Sequence, residues 1–338
     1  MINVAINGFG RIGRRVFKLL QNHETIRVVA INDLADAKTL SHLLKYDSVH
    51  GVFNADISHN ENSITVNQNH ITLLNENHPS RINWKPFNID FVIEATGKFK
   101  TTTDLQCHIT NGAKQVVLSV PPLEDDIKTI VLGVNDSSID GTETIISNAS
   151  CTTNNAAPMI DVINKLCGIN QAYITTVHSY TTDQSLHDQP HRDLRRARAA
   201  SQSIVPTTTG AAKALTKIFP ALSNVIGGCG IRVPVINGSL TDITFNVKKT
   251  VSIGDVNTAF KLAADINYKD IIEYTEDPIV SIDIVGNPHS CIFDAQMTSV
   301  IGNMVKIIGW YDNETGYSQR IIDLICNLSM KRHVLSIK

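Results

Sequence analysis

Nothing in the chain approaches the ~20 consecutive apolar residues that a membrane-spanning helix requires. No basic segment leads into an apolar core at its start, so neither a membrane span nor a secretory leader is expected. An excess of one charge is also missing: 30 Lys and Arg against 32 Asp and Glu give a net charge of -2. That removes any general electrostatic case for a nucleic-acid partner or an acidic membrane surface. The six cysteines (Cys107, Cys151, Cys167, Cys229, Cys291, Cys326) show no CxxC spacing. In a chain of 338 residues they read as free thiols of a reducing compartment, and a cytoplasmic location is expected. His187 and His191 stand four apart without a third ligand of matching spacing, so a solvated loop is expected there and no metal. Repeats and low-complexity segments are absent.

What is present is core-forming material. Hydrophobic residues make up 42% and charged residues 18%, which suits ordered domains. The length suggests two of them at roughly 150 residues each. Residues 1–150 alternate β-rich runs (2–6, 27–32, 91–95, 115–118, 129–132, 144–146) with helical spacing at 14–21 and 37–44. That alternation predicts an α/β fold, a doubly wound parallel sheet covered on both faces. From Cys151 the pattern changes. A long helix to about Lys165, disturbed at Pro158, precedes long strands near 172–180, 225–235, 239–247 and 304–310, with helices at 211–217 and 255–264. This predicts an α+β domain, 151–315, with a mixed or antiparallel sheet. Apolar spacing over 317–327 predicts a terminal helix, within 316–338, that completes the first domain. The polar, arginine-rich stretch 182–205 is too long for an ordinary connection and is expected to be functional or an interface.

Gly8, Gly10 and Gly13 form a GxGxxG run that follows the first strand and opens the first helix. The motif alone is weak, but its context suits a pyrophosphate seated on a helix N-terminus. Asp33 ends the second strand, 33 − 13 = 20 positions after the last glycine, where an acid accepts the adenosine ribose hydroxyls. Its charge would repel a 2′-phosphate, so NAD is expected rather than NADP. The alternative is an ordinary strand–turn–helix with Asp33 as a cap.

The small polar run from Ser147 to Asn154 ends a strand and begins a helix. A cysteine at Cys151 therefore feels helix-start N–H groups and the macrodipole, both of which favour a thiolate. Its candidate base is His178, at the end of a strand aimed at the same cleft. A lone histidine reads equally well as a satisfied core residue, and the sequence leaves both readings open. Together, a nicotinamide site and an activated thiol suggest an aldehyde oxidised through a thioester.

The run Ser147-Asn148-Ala149-Ser150-Cys151-Thr152-Thr153-Asn154 resembles the glyceraldehyde-3-phosphate dehydrogenase family. So do Ile6–Gly13, His178–Thr181, Asp193–Arg198, Thr209–Lys213, Arg232–Val235 and Trp310–Glu314. The resemblance covers essentially the whole chain. It implies Cys151 as nucleophile and His178 as base. It implies Thr181 and Arg232 at the substrate C3 phosphate, and Ser150, Thr152, Thr209 and Gly210 at the attacking inorganic phosphate. Arg11, Ile12, Asp33, Ser119 and Asn313 would contact NAD, Asn313 at the nicotinamide carboxamide. The implied substrates are glyceraldehyde 3-phosphate and inorganic phosphate. The implied assembly is a homotetramer, in which the 182–205 segment is an S-shaped loop against a neighbour's cofactor. The chain departs from the pattern at Asn155, where a second cysteine is usual, and at Thr315, where tryptophan is common. It also departs at Gln189 and at Asn77-His78.

Two other functions compete. The segments 34–37 and 199–203 resemble the related erythrose-4-phosphate dehydrogenases, which use the same cysteine chemistry. A non-catalytic binding role is the alternative of a different class. An intact set of Cys151, His178, Thr181 and Arg232 speaks against it.

Overall fold

The computed structural model describes residues 1–337 and folds as two compact units. The first comprises Met1–Ile130, Ser137–Ala149 and the chain from Ser318; the second comprises Val131–Asp136 and Ser150–Tyr317.

The first unit contains β1 (Ile2–Asn7), α1 (Arg11–Leu20), β2 (Ile26–Asn32), α2 (Ala37–Lys45), β3 (Ile57–Asn60), β4 (Ser63–Val66), β5 (Asn69–Leu74), β6 (Phe91–Glu94), α3 (Thr102–Thr110), β7 (Gln115–Leu118), β8 (Lys128–Thr129) and β9 (Ile145–Ser147). Its sheet runs β8-β9-β7-β6-β1-β2-β5-β4-β3. From β8 to β5 all neighbours pair in parallel, and β4 and β3 then add antiparallel. The central strands are apolar on both faces: Val4, Ala5, Ile6, Val92, Ile93, Val116 and Val117 are all fully buried. That is what a sheet covered on both sides demands. It is a doubly wound Rossmann-type sheet, in which the C-terminal ends of β1, β2, β6 and β7 carry Gly8, Asp33, Thr96 and Ser119.

Three expectations need correction here. The apolar run 129–132 is not a strand beyond Thr129; Ile130, Val131 and Leu132 are buried in a turn instead. The antiparallel β3–β5 extension was not expected, because β3 is largely exposed and shows no clear alternation. Nor was α3, which buries only Leu105 and His108, although Thr101 caps it by accepting from the Asp104 N–H.

The second unit contains α4 (Cys151–Cys167), β10 (Ile169–Ser179), β11 (Val205–Thr207), α5 (Ala211–Ile218), β12 (Ile226–Val233), β13 (Ser239–Val247), α6 (Ile253–Leu262), β14 (Ile272–Thr275), β15 (Cys291–Asp294) and β16 (Met304–Tyr311). The sheet order is β11-β12-β10-β13-β16-β15-β14. β10 pairs β12 in parallel and β13 antiparallel, so the sheet is mixed. α4 packs on one face of it and runs unbroken through Pro158. Burial of Ala156, Ala157, Met159, Ile160 and Ile163 explains why. One fully buried isoleucine contributes about 1.5–3 kcal/mol, so together they outweigh the hydrogen bond that Pro158 forgoes. Gly309 of β16 allows the close approach: a Cβ there would lie 2.6 Å from Met159 Sδ and 2.8 Å from Cys291 Sγ.

The terminal helix α7 (Thr315–Ile337) buries Ile321, Ile322, Leu324, Ile325 and Leu328. Lys331 Nζ donates to the Ile139 carbonyl at 2.6 Å within the first unit. Among the described residues no helix is long and apolar enough to cross a membrane.

Candidate active site

In the first unit, the three motif glycines differ in what they are for. Gly8 has φ +93°, and a Cβ on it would lie 2.7 Å from the Thr96 nitrogen. A Cβ on Gly13 would lie 2.2 Å from the Gly8 carbonyl oxygen. Gly10, by contrast, faces open space. The first and third are therefore required by the fold, while the second leaves the helix start accessible, as a bound pyrophosphate needs. Asp33 is tied to this loop: Oδ2 accepts from the Phe9 N–H at 2.7 Å, and Oδ1 accepts from the Ala35 N–H at 3.0 Å. Gly8, Gly10, Asn32, Asp33, Thr96 and Phe99 are among the residues that line a cleft here. Arg11 Nη1 donates to Asp47 at 2.9 Å; burial raises the Asp47 carboxyl, but the Val49 and His50 N–H groups and then this guanidinium hold it below its usual range. Ile12 lies on the first turn of α1. Ser119 is buried just past β7, with its N–H on the Glu94 carbonyl at 3.0 Å. An open Gly10, a glycine-bound turn and an acid at the second strand end fit a dinucleotide such as NAD.

In the second unit, Ser150 caps α4. Its hydroxyl accepts from the Thr153 N–H at 3.1 Å, so Cys151 is the first helical residue. Along β10 the period-2 alternation buries Ile174, Thr176 and His178 together. His178 Nε2 lies 3.4 Å from Cys151 Sγ. In the parallel β10–β12 register His178 stands opposite Arg232. Arg232 Nη1 is 2.6 Å from His178 Nδ1 and 3.0 Å from the Ser179 carbonyl, which is itself 2.7 Å from Nδ1. A carbonyl only accepts, so the contact with Ser179 places the proton on Nδ1 and leaves Nε2 bare toward the thiol. A proton on Nε2 is the tautomer that lets Arg232 donate to Nδ1 instead. Arg232 thus bears directly on which nitrogen faces Cys151.

The electrostatics correct one expectation. Burial pushes the Cys151 thiol up, against the lowering effects of Arg232 and of the Thr152 N–H. The helix start favours the thiolate, and burial opposes it. Burial, then the Arg232 charge, lowers His178 to about 3.

Not all of the remaining residues gather at this pair. Thr152 is buried, and its hydroxyl meets the Tyr311 hydroxyl at 2.9 Å. Tyr311 reaches Thr176 at the same distance and sets its ring edge against His178, with centroids 5.9 Å apart. Thr181 lies past β10 in a turn closed by the Gln184 N–H at 2.9 Å. Thr209 and Gly210 stand at the start of α5, with Thr209 Oγ1 accepting from the Ala211 N–H at 3.2 Å. Asn313 is buried, and its Oδ1 accepts from Ser179 Oγ at 2.9 Å and Ser239 Oγ at 3.0 Å.

Two residues escaped the sequence reading. Tyr311 touches partners 135 and 159 positions away, a relation no local pattern encodes. Arg196 is the inward member of the loop's arginine run: it pairs with Asp183, and its Nε donates to Thr207 at 3.0 Å. Its charge also reaches Arg232.

Asn155 is fully buried, with Nδ2 toward the carbonyls of Ser290 (3.2 Å), Trp310 (3.3 Å) and Gly309 (3.4 Å). It seats the first turn of α4 on the sheet where the family usually has a thiol. The next cysteine along the helix is Cys167, at its far end. Mild peroxide is therefore expected to give Cys151 sulfenic acid, then over-oxidation or a mixed disulfide with added glutathione. An intramolecular disulfide at Cys151 by mass spectrometry would contradict this.

Comparison with known proteins shows the family. Residues 2–102 match the family described as glyceraldehyde 3-phosphate dehydrogenase, NAD binding domain, and residues 150–313 match its C-terminal domain. The chain is 48% identical over 333 residues to glyceraldehyde-3-phosphate dehydrogenase 1 of Bacillus cereus, covering 98% of this chain and 99% of that one. It is 51% identical over 326 residues to glyceraldehyde-3-phosphate dehydrogenase 2 of Streptomyces avermitilis, covering 96% and 97%. Against the Geobacillus stearothermophilus enzyme it is 48% identical over 332 residues, covering 98% and 99%. With a glycine cradle suited to NAD and a cysteine–histidine pair suited to aldehyde chemistry, the chain belongs to the glyceraldehyde-3-phosphate dehydrogenase family of NAD-dependent phosphorylating enzymes.

Proposed function

We propose that Cys151, His178 and Arg232 carry the oxidation of D-glyceraldehyde 3-phosphate to 1,3-bisphosphoglycerate. The observation that supports this most is the 3.4 Å approach of Cys151 Sγ to His178 Nε2 beside the half-buried Arg232 guanidinium. Gly8, Gly10, Arg11, Ile12, Gly13, Asp33 and Ser119 hold NAD, and Asn313 takes the nicotinamide carboxamide. When bound, NAD supplies the acceptor for a hydride.

Arg232 and Thr181 grip the C3 phosphate and set the aldehyde carbon at the sulfur; Arg196 adds a second cation to the same surroundings. A dianion against Arg232 offsets the guanidinium's lowering effect on His178, which is second to that of burial. His178 takes the thiol proton as Sγ adds to the aldehyde, and returns it to the new alkoxide. It takes the proton again as hydride leaves, and a thioester remains on Cys151. Ser150, Thr152, Thr209 and Gly210 hold inorganic phosphate for attack on the thioester. Tyr311 has one proton for two threonines. Thr176 Oγ1 donates to the Leu240 carbonyl at 3.4 Å, so it accepts from Tyr311, and Tyr311 accepts from Thr152. The acyl phosphate departs, and His178 protonates the released thiolate.

Mixing enzyme, NAD and triose without phosphate should give about one equivalent of NADH per chain and an acyl group on Cys151 by intact mass. Phosphate should then discharge it. Continued turnover without phosphate, or no acyl-enzyme, would refute the reading. Substituting Asp33 by glycine removes the ribose acceptor and the Phe9 clamp together. We expect NAD kcat/KM to fall roughly 10–100-fold and the gap to NADP to narrow, from the loss of charge-assisted hydrogen bonds. A wild-type preference for NADP would overturn that assignment.

The working form is a cytoplasmic homotetramer. Support comes from the likeness of the 182–205 segment to the family's S-shaped loop. Light scattering that gives a monomer at working concentration would exclude it.

A further inference from the structure

Asn313 is held in an unusual way. A side-chain amide can turn over and exchange its oxygen and nitrogen at little steric cost, so its orientation depends on its partners. Here the Gly238 N–H, which can only donate, points at Oδ1 at 3.3 Å and fixes which end is oxygen. Ser239 Oγ accepts the Ser179 N–H at 3.1 Å and donates to Oδ1 at 3.0 Å. Ser179 Oγ donates to Oδ1 at 2.9 Å. Three donors converge on one oxygen, leaving the Asn313 amino group as the end available to a ligand carbonyl. Both serines are buried to within 1% exposure, so water does not replace either hydroxyl. Ser179 has a second role through its backbone, since its carbonyl takes His178 Nδ1 at 2.7 Å and Arg232 Nη1 at 3.0 Å.

We propose that Ser179 and Ser239 are positioning residues for the nicotinamide: their hydroxyls lock the Asn313 amide with its amino group outward. The Ser179 carbonyl, separately, contacts the imidazole that faces Cys151. The proposal rests on the reading of Asn313 as the carboxamide's partner. The two halves of Ser179 act separately, because alanine removes the hydroxyl and keeps the carbonyl. The hydroxyl governs cofactor binding and the carbonyl governs the base.

The test compares S179A, S239A, their double variant and N313A in the otherwise intact enzyme. Calorimetry measures NAD binding to the free protein, and iodoacetamide labelling of Cys151 across pH reports the cysteine–histidine pair. We expect the Kd for NAD to rise roughly 10-fold in the double variant and by a similar factor in N313A. Adding N313A to the double variant should weaken binding no further, since all three residues act through one contact. Cys151 labelling and its pH profile should stay within about two-fold of wild type in the serine variants. If the double variant does not fold, the single variants give the same comparison at roughly 2–5-fold each. Weakened binding in N313A with wild-type binding in the serine variants would overturn the lock and leave the reading of Asn313 standing. Wild-type binding in N313A would overturn both. A shifted labelling profile in S179A would show that the two halves of Ser179 are not separable.

Discussion

Replacing Cys151 by serine is expected to lower kcat by on the order of 10⁴-fold or more while leaving the NAD Kd near its wild-type value. A serine hydroxyl at the same place faces the same imidazole, but it loses its proton far less readily than a thiol and is the weaker nucleophile. The other cysteines have no comparable setting. Burial raises Cys291 strongly and Cys167 and Cys326 as well, as it does Cys151, so the distinguishing feature is the neighbouring histidine. Among the described residues, Cys151 is the one cysteine with a histidine nitrogen as close as 3.4 Å; Cys326 lies 3.9 Å from His23. Iodoacetamide should therefore inactivate in step with labelling of Cys151. Steady-state kinetics and peptide mapping check this, and an active C151S enzyme would end the mechanism.

The second large effect is on His178. H178N should lower kcat by roughly 10²–10⁴-fold, the usual contribution of a positioned general base. Because thiol and base act as a unit, C151S combined with H178N should be little worse than C151S alone. The same substitution has a stability signature. The folded protein holds His178 down to about 3, against an ordinary value of 6.5. Between these values the unfolded chain binds a proton that the native state refuses, so wild-type stability falls as pH drops from 6.5 toward 3. The slope from this one group is at most about 1.4 kcal/mol per pH unit, and it vanishes above 6.5. Urea titrations at pH 7, 6, 5 and 4 should show H178N losing less stability than wild type across the acid steps. Parallel curves would mean that the imidazole is already charged in the fold.

Much of this site was legible from the sequence because its signals are local. The glycine turn, the acid 20 positions later and the Ser150 cap ahead of Cys151 are each set by a few adjacent residues. The alternation that turns His178 to the covered face of β10 is equally local. The long strands of the second unit were legible for the same reason. What escaped depends on tertiary surroundings. Helix-start chemistry favours a thiolate at Cys151, whereas burial, which no spacing reveals, pushes the thiol up. The run 129–132 is apolar because it is buried in a turn, and apolarity alone does not distinguish a turn from a strand. α3 shows its cap in Thr101 and Asp104, yet its interior is too polar to display a face. Tyr311, Ser179 and Ser239 matter through partners brought close only when β10, β13 and β16 align.

In the proposed reaction a thioester on Cys151 is released by phosphate, and the substrate is a triose. With Thr181 and Arg232 proposed at one end of the substrate and Cys151 at the other, one sugar length is expected to fit. An extra carbon must buckle or displace the aldehyde, and a displacement of about 1 Å can cost on the order of 100-fold in rate. The decisive measurement is the initial rate of NADH formation with glyceraldehyde 3-phosphate and with erythrose 4-phosphate, each with phosphate, with arsenate and with neither. The triose should be preferred in kcat/KM by roughly 100-fold, and steady turnover should require one of the two anions. Equal or better use of the tetrose, or turnover indifferent to phosphate and arsenate, would contradict the account.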